Sequence, residues 1–336
     1  MHLVSRSVTF TYCYDRPLQC IATQYKPDSS RPGLTLLFAG GIGINQETWQ
    51  PIIHEVFRLS SLPGSSINIH SAWVVERPNH GDAALLNAQV LKEHYTELFI
   101  HLQYATAIQT LLNSAELSPG EKENIVGVAF SGGSAALIQC HELLSKQSDL
   151  RTATIRMLIL VESPWVGLEA FPVYKVMYPF LRKANNKRPK SWKSVEDAMA
   201  WLGSRLPWST FHPDVMQIIS ETHFCPDPQN PGCVTTKTTA EQETAAFIDD
   251  GTGLRLLSYL RTVLHRLPVH LVLSSSREFW SPEIQNLIAA NVKQDRPLLA
   301  SFTEMPGKGH YLTAEAPYEV ASRVVHLLER DVKTKL

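Results

Sequence analysis

No stretch of the 336 residues approaches the ~20 consecutive apolar positions that a membrane-crossing helix needs, and the opening MHLVSRSVTFTYCYD lacks the apolar core of a secretion signal. Both absences point to a cytoplasmic protein. Charge of one sign is also missing: 31 Lys and Arg stand against 32 Asp and Glu, a formal net charge of −1, with no basic block. That balance argues against nucleic acid or an anionic membrane as partner and suits a neutral or small-molecule substrate. Cysteine is scarce too. Cys13, Cys20, Cys140, Cys225 and Cys233 show no Cys-x-x-Cys spacing and are odd in number, which fits reduced thiols and argues against a metal site. Cys225 and Cys233 flank a Pro-rich loop and are expected to stay unpaired. A Walker lysine and a G-x-G-x-x-G are both absent, so no nucleotide cofactor is expected. There is no internal repeat and no low-complexity tract. The terminal Thr334-Lys335-Leu336 is a weak relative of the Ser-Lys-Leu peroxisomal address.

What is present is an alternation of strands and helices. The first segment alternates apolar and polar residues around Asp15-Arg16-Pro17, as two antiparallel strands would. LTLLFAGG and SAWVVERPNHGD each read as a buried strand running into a glycine-containing turn. Between Tyr95 and Leu112, the residues Leu98, His101, Leu102, Ala105, Ile108, Leu111 and Leu112 mark one helical stripe. NIVGVAF, IRMLILVESP, LPVHLVLSSS and LLASFTEMPGKGH continue the strands, with helical segments between them. Repeated strand-helix units predict the α/β class, with a mostly parallel sheet covered on both faces. The rhythm breaks between Pro164 and Leu267, a mainly helical stretch holding Trp165, Trp192, Trp201 and Trp208. It predicts a helical lid over 164–267, inserted after the sixth strand of a core made from 1–163 and 268–336.

The segment Ala129-Phe130-Ser131-Gly132-Gly133 sits where a strand meets a helix. A serine hydroxyl needs a base to take its proton, an acid to orient that base, and donors for the developing oxyanion. Small residues two before and two after a serine permit the strained turn that holds such a hydroxyl outward, and here Ala129 replaces the usual first glycine. The base belongs late in the chain, and His310 in the glycine-bounded PGKGH loop meets that requirement among the thirteen histidines. The amide of Gly132 would be one oxyanion donor. Ile42, in the Gly40-Gly41-Ile42-Gly43 turn, would supply the other, and Gly41 would let the backbone approach the substrate closely.

The order LLFAGGIGINQETW, ERPNHGD, GVAFSGG, LILVESP and PGKGHY resembles α/β-hydrolase-fold enzymes over nearly the whole chain. The stretches KRPKSWKSVEDAMAWLGSRLPWSTFHPDVMQIISE and VTTKTTAEQETAAF resemble, more narrowly, fungal toxin-biosynthesis hydrolases and the thiohydrolases that release polyketides from their synthases. This resemblance implies a serine thioesterase of secondary-metabolite biosynthesis acting on a polyketide-like acyl chain, delivered by a synthase carrier domain. Its elbow usually reads Gly-His-Ser-Met-Gly, so Phe130 and Gly132 reshape the substrate space and leave room for a bulkier acyl group. The usual acid follows the seventh strand. Glu278 lies there only with one extra loop residue, because Arg277 takes the expected position, and Glu162 at the tip of the sixth strand is the rival. Trp165, Phe171, Tyr174 and Met177 follow that strand and are candidates to line an apolar pocket over Ser131. His80-Gly81-Asp82 forms another polar turn, expected to support the oxyanion loop. Hydrolysis or internal lactonisation by Ser131 is the expected chemistry. A cyclase using His310 as base without acylation, and a ligand-binding protein without turnover, are the alternatives.

Overall fold

The computed structural model describes residues 2–29, 31–147 and 153–334; Lys335 and Leu336, the end of the address-like tail, lie outside them. Eight strands form one sheet: β1 (Leu3–Cys13), β2 (Pro17–Pro27), β3 (Leu34–Ala39), β4 (Ile69–Val75), β5 (Ile125–Phe130), β6 (Ile155–Val161), β9 (Val269–Ser274) and β10 (Ser301–Met305). Two short strands, β7 (Phe224–Pro226) and β8 (Val234–Thr236), form a separate hairpin. The main sheet runs β1-β2-β4-β3-β5-β6-β9-β10. Its first two pairs, β1 with β2 and β2 with β4, are antiparallel and every later pair is parallel.

Side chains on the inner strands alternate between two cores with the period of two that a pleated strand imposes. Leu36, Phe38, Val126, Val128, Met157 and Ile159 enter one core, beneath the helices Gln50–Ser60 and Pro317–Thr334. Leu37, Ala39, Ala129, Leu158 and Leu160 enter the other, with the helices His101–Asn113 and Gly132–Ser145. Both faces being covered explains why these strands read as continuous apolar runs. The helical stripe is shorter than its periodicity implies. Leu98 precedes the helix, which begins at His101, and a separate helix ends at His94.

After β3 the chain turns to β4 on one side, then crosses to β5 on the other, so the carboxyl ends of β3 and β5 face a crevice at a switch of direction. Ala39 is in register with Ala129, Phe130 with Val161, and Val161 with Val272. The residues that follow these strands are thereby brought side by side.

The segment between β6 and β9 is mainly helical, carries the β7–β8 hairpin and does not pack as one body. Ala198, Leu202, Phe211, Val215, Ile219 and Phe224 form their own small core, flanked by Trp192, Trp201 and Trp208. Leu256, Leu257, Leu260 and Val263 instead belong to the main core, and so does Trp165. Their helix, Leu256–Val263, carries a leucine-rich face against the sheet-covering layer, so the core resumes before position 268. All five cysteines are free thiols, Cys225 and Cys233 included. Among the described residues no helix is long and apolar enough to cross a membrane.

Candidate active site

Ser131 lies between β5 and the helix Gly132–Ser145 with φ +50°, and Glu162 follows β6 with φ +53°. Among the described residues these are the two non-glycines in the left-handed region, a conformation costing about 1–3 kcal/mol each and held only where surroundings over-determine it. The Ser131 amide donates to the Val161 carbonyl at 2.9 Å, and the Glu162 amide to the Val272 carbonyl at 2.8 Å. Each strained residue is thus clamped by the neighbouring strand.

Two glycines make the elbow feasible. A Cβ on Gly133 would stand 2.3 Å from the Ala39 carbonyl oxygen, and one on Gly41 2.6 Å from the Phe130 ring and 3.3 Å from the Ser131 Cβ. Gly133→Ala therefore drives backbone against backbone. We expect a stability loss of about 1–3 kcal/mol, seen in a urea melt, and a fall in turnover of about tenfold or more as the Gly40–Ile42 turn is displaced.

His310 arrives from the loop after β10. Its Nε2 is 3.0 Å from the Ser131 Oγ and its Nδ1 is 2.9 Å from a Glu162 carboxylate oxygen. A carboxylate only accepts, so Nδ1 carries the proton and Nε2 presents its lone pair to the serine hydroxyl. The other Glu162 oxygen accepts a hydrogen bond from the Ser274 amide. All three side chains are buried. Both ring nitrogens are therefore engaged, and Glu278 sits exposed in the turn after β9. Arg277, in the position expected for an acid, pairs with Glu304 at 2.6 Å. The structure brings together Ser131, His310 and Glu162 and leaves Glu278 apart, because the loop lays its neighbours Phe279 and Trp280 against the His310 ring instead. Phe279 stacks on the imidazole at 4.2 Å between centroids, and Trp280 meets it edge-on at 5.2 Å. Neither ring was singled out in the sequence; two adjacent aromatics in an otherwise polar turn were the available signal.

The loop after β3 is held from behind. The Gly40 amide donates to the Tyr104 hydroxyl at 3.2 Å and the Gly43 amide to His80 Nε2 at 2.8 Å. His80 thus braces the turn, its Nδ1 on the Asn79 side-chain oxygen at 2.9 Å. Burial, and the nearby Arg77 guanidinium, push its basicity well below that of a free histidine. The intervening Ile42 amide has no acceptor among the described residues, and the Gly132 amide, at the first position of its helix, has none a turn earlier. Arg77 is 3% exposed and stacks on Tyr104 at 4.8 Å. Its guanidinium nitrogens have no hydrogen-bond partner among the described residues, Nη2 lies 3.2 Å from where a Gly132 Cβ would be, and burial lowers its pKa to about 10.

A cavity of about 110 Å³ opens on Ser131, walled by Ile42, Gly132, Trp165, Tyr174, Tyr178, Leu257 and Trp280 among others. Trp165 is fixed by its indole N–H on Asp295 at 2.8 Å. Of the residues expected to contact substrate, Trp165 and Tyr174 are on this wall. Phe171, Met177, Phe130 and Gly41 are not. Tyr178 takes the place expected of Met177, since it lies one helical turn after Tyr174 and stacks with it at 6.3 Å. Phe130 points into the core away from the cavity, and Gly41 serves close packing against that ring.

No family model matches the chain, and no curated protein does. Solved structures do. The peroxisomal α/β-hydrolase Lpx1 of Saccharomyces cerevisiae aligns over 99% of this chain and 90% of its own, with a TM-score of 0.72 and 16% identity. E-2-(acetamidomethylene)succinate hydrolase aligns over 98% and 100%, at 0.63 and 18%. A thioesterase domain from the curacin biosynthetic pathway aligns over 97% and 100%, at 0.63 and 16%. Likeness at such identity is a likeness of backbone, and together with the strand order and the serine at the switch of direction it identifies this chain as one with the α/β-hydrolase fold.

Proposed function

We propose that the protein is a serine-dependent acyl-transfer enzyme acting on a thioester, ester or lactone. The observation that carries this reading is the buried hydrogen-bonded run from Ser131 through His310 to Glu162, opening on an apolar cavity. The Ser131 Oγ attacks the carbonyl carbon while His310 Nε2 takes its proton. The Ile42 and Gly132 amides hold the oxyanion, with the Arg77 charge behind Gly132 adding to the field there. Collapse breaks the bond to the leaving thiol or alcohol, which receives the proton from His310. Water, or a hydroxyl of the acyl chain, then attacks the acyl-serine; His310 takes that proton and returns it to Oγ as the second bond breaks. Water yields an acid and an internal hydroxyl yields a lactone.

The aromatic and aliphatic wall favours an apolar acyl group, and the helical insertion acts as a lid that limits water. A polyketide-like chain handed over by a synthase carrier domain is the substrate suggested by the resemblance of the lid sequence. The test is intact-protein mass spectrometry. We expect a serine-reactive phosphonate to add one covalent mass to the wild-type chain, blocked by prior incubation with a model acyl thioester. Turnover with no such mass would favour base catalysis by His310 without acylation.

A further inference from the structure

We propose that the cavity holds a hydroxyl-recognising subsite in which His101 and Asp249 bind an alcohol group carried on the acyl chain of the substrate. The proposal rests on the acyl-transfer reading of Ser131 and names its substrate class more closely.

His101 opens the helix His101–Asn113 and is the polar member of its apolar stripe. It lines the same cavity as Ser131, among walls that are mostly aliphatic or aromatic, and Asp249 lies on that wall too. The His101 Nδ1 is buried and has no hydrogen-bond partner among the described residues. A leucine would fill this place without leaving a desolvated nitrogen unpaired, so the imidazole is a costly choice unless a ligand answers it. The backbone makes room for it: a Cβ on Gly253 would lie 2.7 Å from the His101 ring and 2.6 Å from an Asp249 carboxylate oxygen. Ring and carboxylate are lodged side by side by that glycine.

The available valences select the ligand. Burial and the Arg77 charge hold the His101 pKa down to about 3 against the opposing pull of Asp250, so the ring is neutral and offers one donor and one acceptor. The Asp249 carboxylate takes the amides of Gly251, Gly253 and Leu254, which leaves acceptor capacity on its oxygens. The Tyr178 hydroxyl is already committed, donating to the Asp249 carbonyl and accepting from its amide. One neutral donor-acceptor beside one acceptor matches an alcohol, which gives its proton to one partner and accepts from the other. A carboxylate-tailed chain would meet Asp249 unfavourably, and a ketone could not use it.

The test compares N-acetylcysteamine thioesters of one acyl chain, with and without a hydroxyl, the hydroxyl being moved along successive carbons. Wild-type kcat/KM is expected to favour at least one hydroxylated isomer about tenfold or more, because a buried site built for a hydroxyl penalises its absence. His101→Leu is expected to bring that ratio near unity, and His101→Asn to restore part of it. Isothermal binding of the corresponding free acids to a Ser131→Ala chain should show the same preference without turnover. Hydrolysis of the deoxy thioester equally well at every position, or a ratio unmoved by His101→Leu, overturns the subsite while leaving the acyl-transfer reading standing. A wild-type chain whose Ser131 takes no probe and turns over neither thioester overturns that reading; equal binding of both acids would then overturn the subsite as well.

Discussion

Ser131→Ala lowers kcat for a model acyl thioester by about 10⁴- to 10⁶-fold, abolishes phosphonate labelling, and leaves thermal unfolding within a few degrees of wild type. The size follows from what the hydroxyl does. Without Oγ there is no acyl-enzyme, and the Ile42 and Gly132 amides can assist only direct attack by water. Stability should hold because the features that create the elbow belong to the backbone: the amide of residue 131 on Val161, its carbonyl on the Ser134 amide, and the clearance at Gly133. Alanine at φ +50° keeps the strain that serine already bears. The Tm and kcat are to be measured on the same preparations. A variant that retained a tenth of wild-type turnover would remove Ser131 from the chemistry.

Glu162→Gln is expected to lower kcat by about 10⁴-fold, whereas Glu278→Ala should stay within about twofold of wild type, as an exposed substitution far from special features does. The contrast is a matter of proton placement. Glu162 accepts from His310 Nδ1 and from the Ser274 amide. A glutamine can keep its oxygen on the Ser274 amide, but its NH₂ then faces Nδ1 and favours the tautomer with the proton on Nε2. That imidazole cannot take the serine proton. The loss should therefore fall on kcat with KM little changed, and phosphonate labelling should slow in parallel. Equal losses in the two variants, or a larger one at Glu278, would reverse the assignment of partners.

Much of this arrangement is local and so was readable in the chain. The elbow advertises itself because the strained turn at Ser131 demands small neighbours within two positions, and the late glycine-bounded loop around His310 is bracketed by a strand and a helix. The partner of His310 was not readable: Glu162 and Glu278 both follow strands, and which one faces the imidazole depends on loop direction. The β9 turn exposes Glu278, pairs Arg277 with Glu304 and sends Phe279 onto the imidazole. The cavity wall was partly legible. Proximity to β6 suggested Trp165 and Tyr174, but helix rotation put Tyr178 rather than Met177 on the wall, and a leucine-rich helix expected in the lid joined the core.

The sequence by itself determined the α/β class and the nearly complete strand series, and it singled out the serine and histidine on which the proposed chemistry rests. Strand periodicity, turn chemistry and the steric needs of a bend act over a few residues and leave their mark on them. The tertiary structure alone decided which carboxylate meets His310, the aromatic rings around that histidine, the buried charge of Arg77 and, among the described residues, the unpartnered Nδ1 of His101. Those depend on which groups from separate elements of the chain meet, where the outcome is set by sheet register and by the desolvation each group does or does not escape.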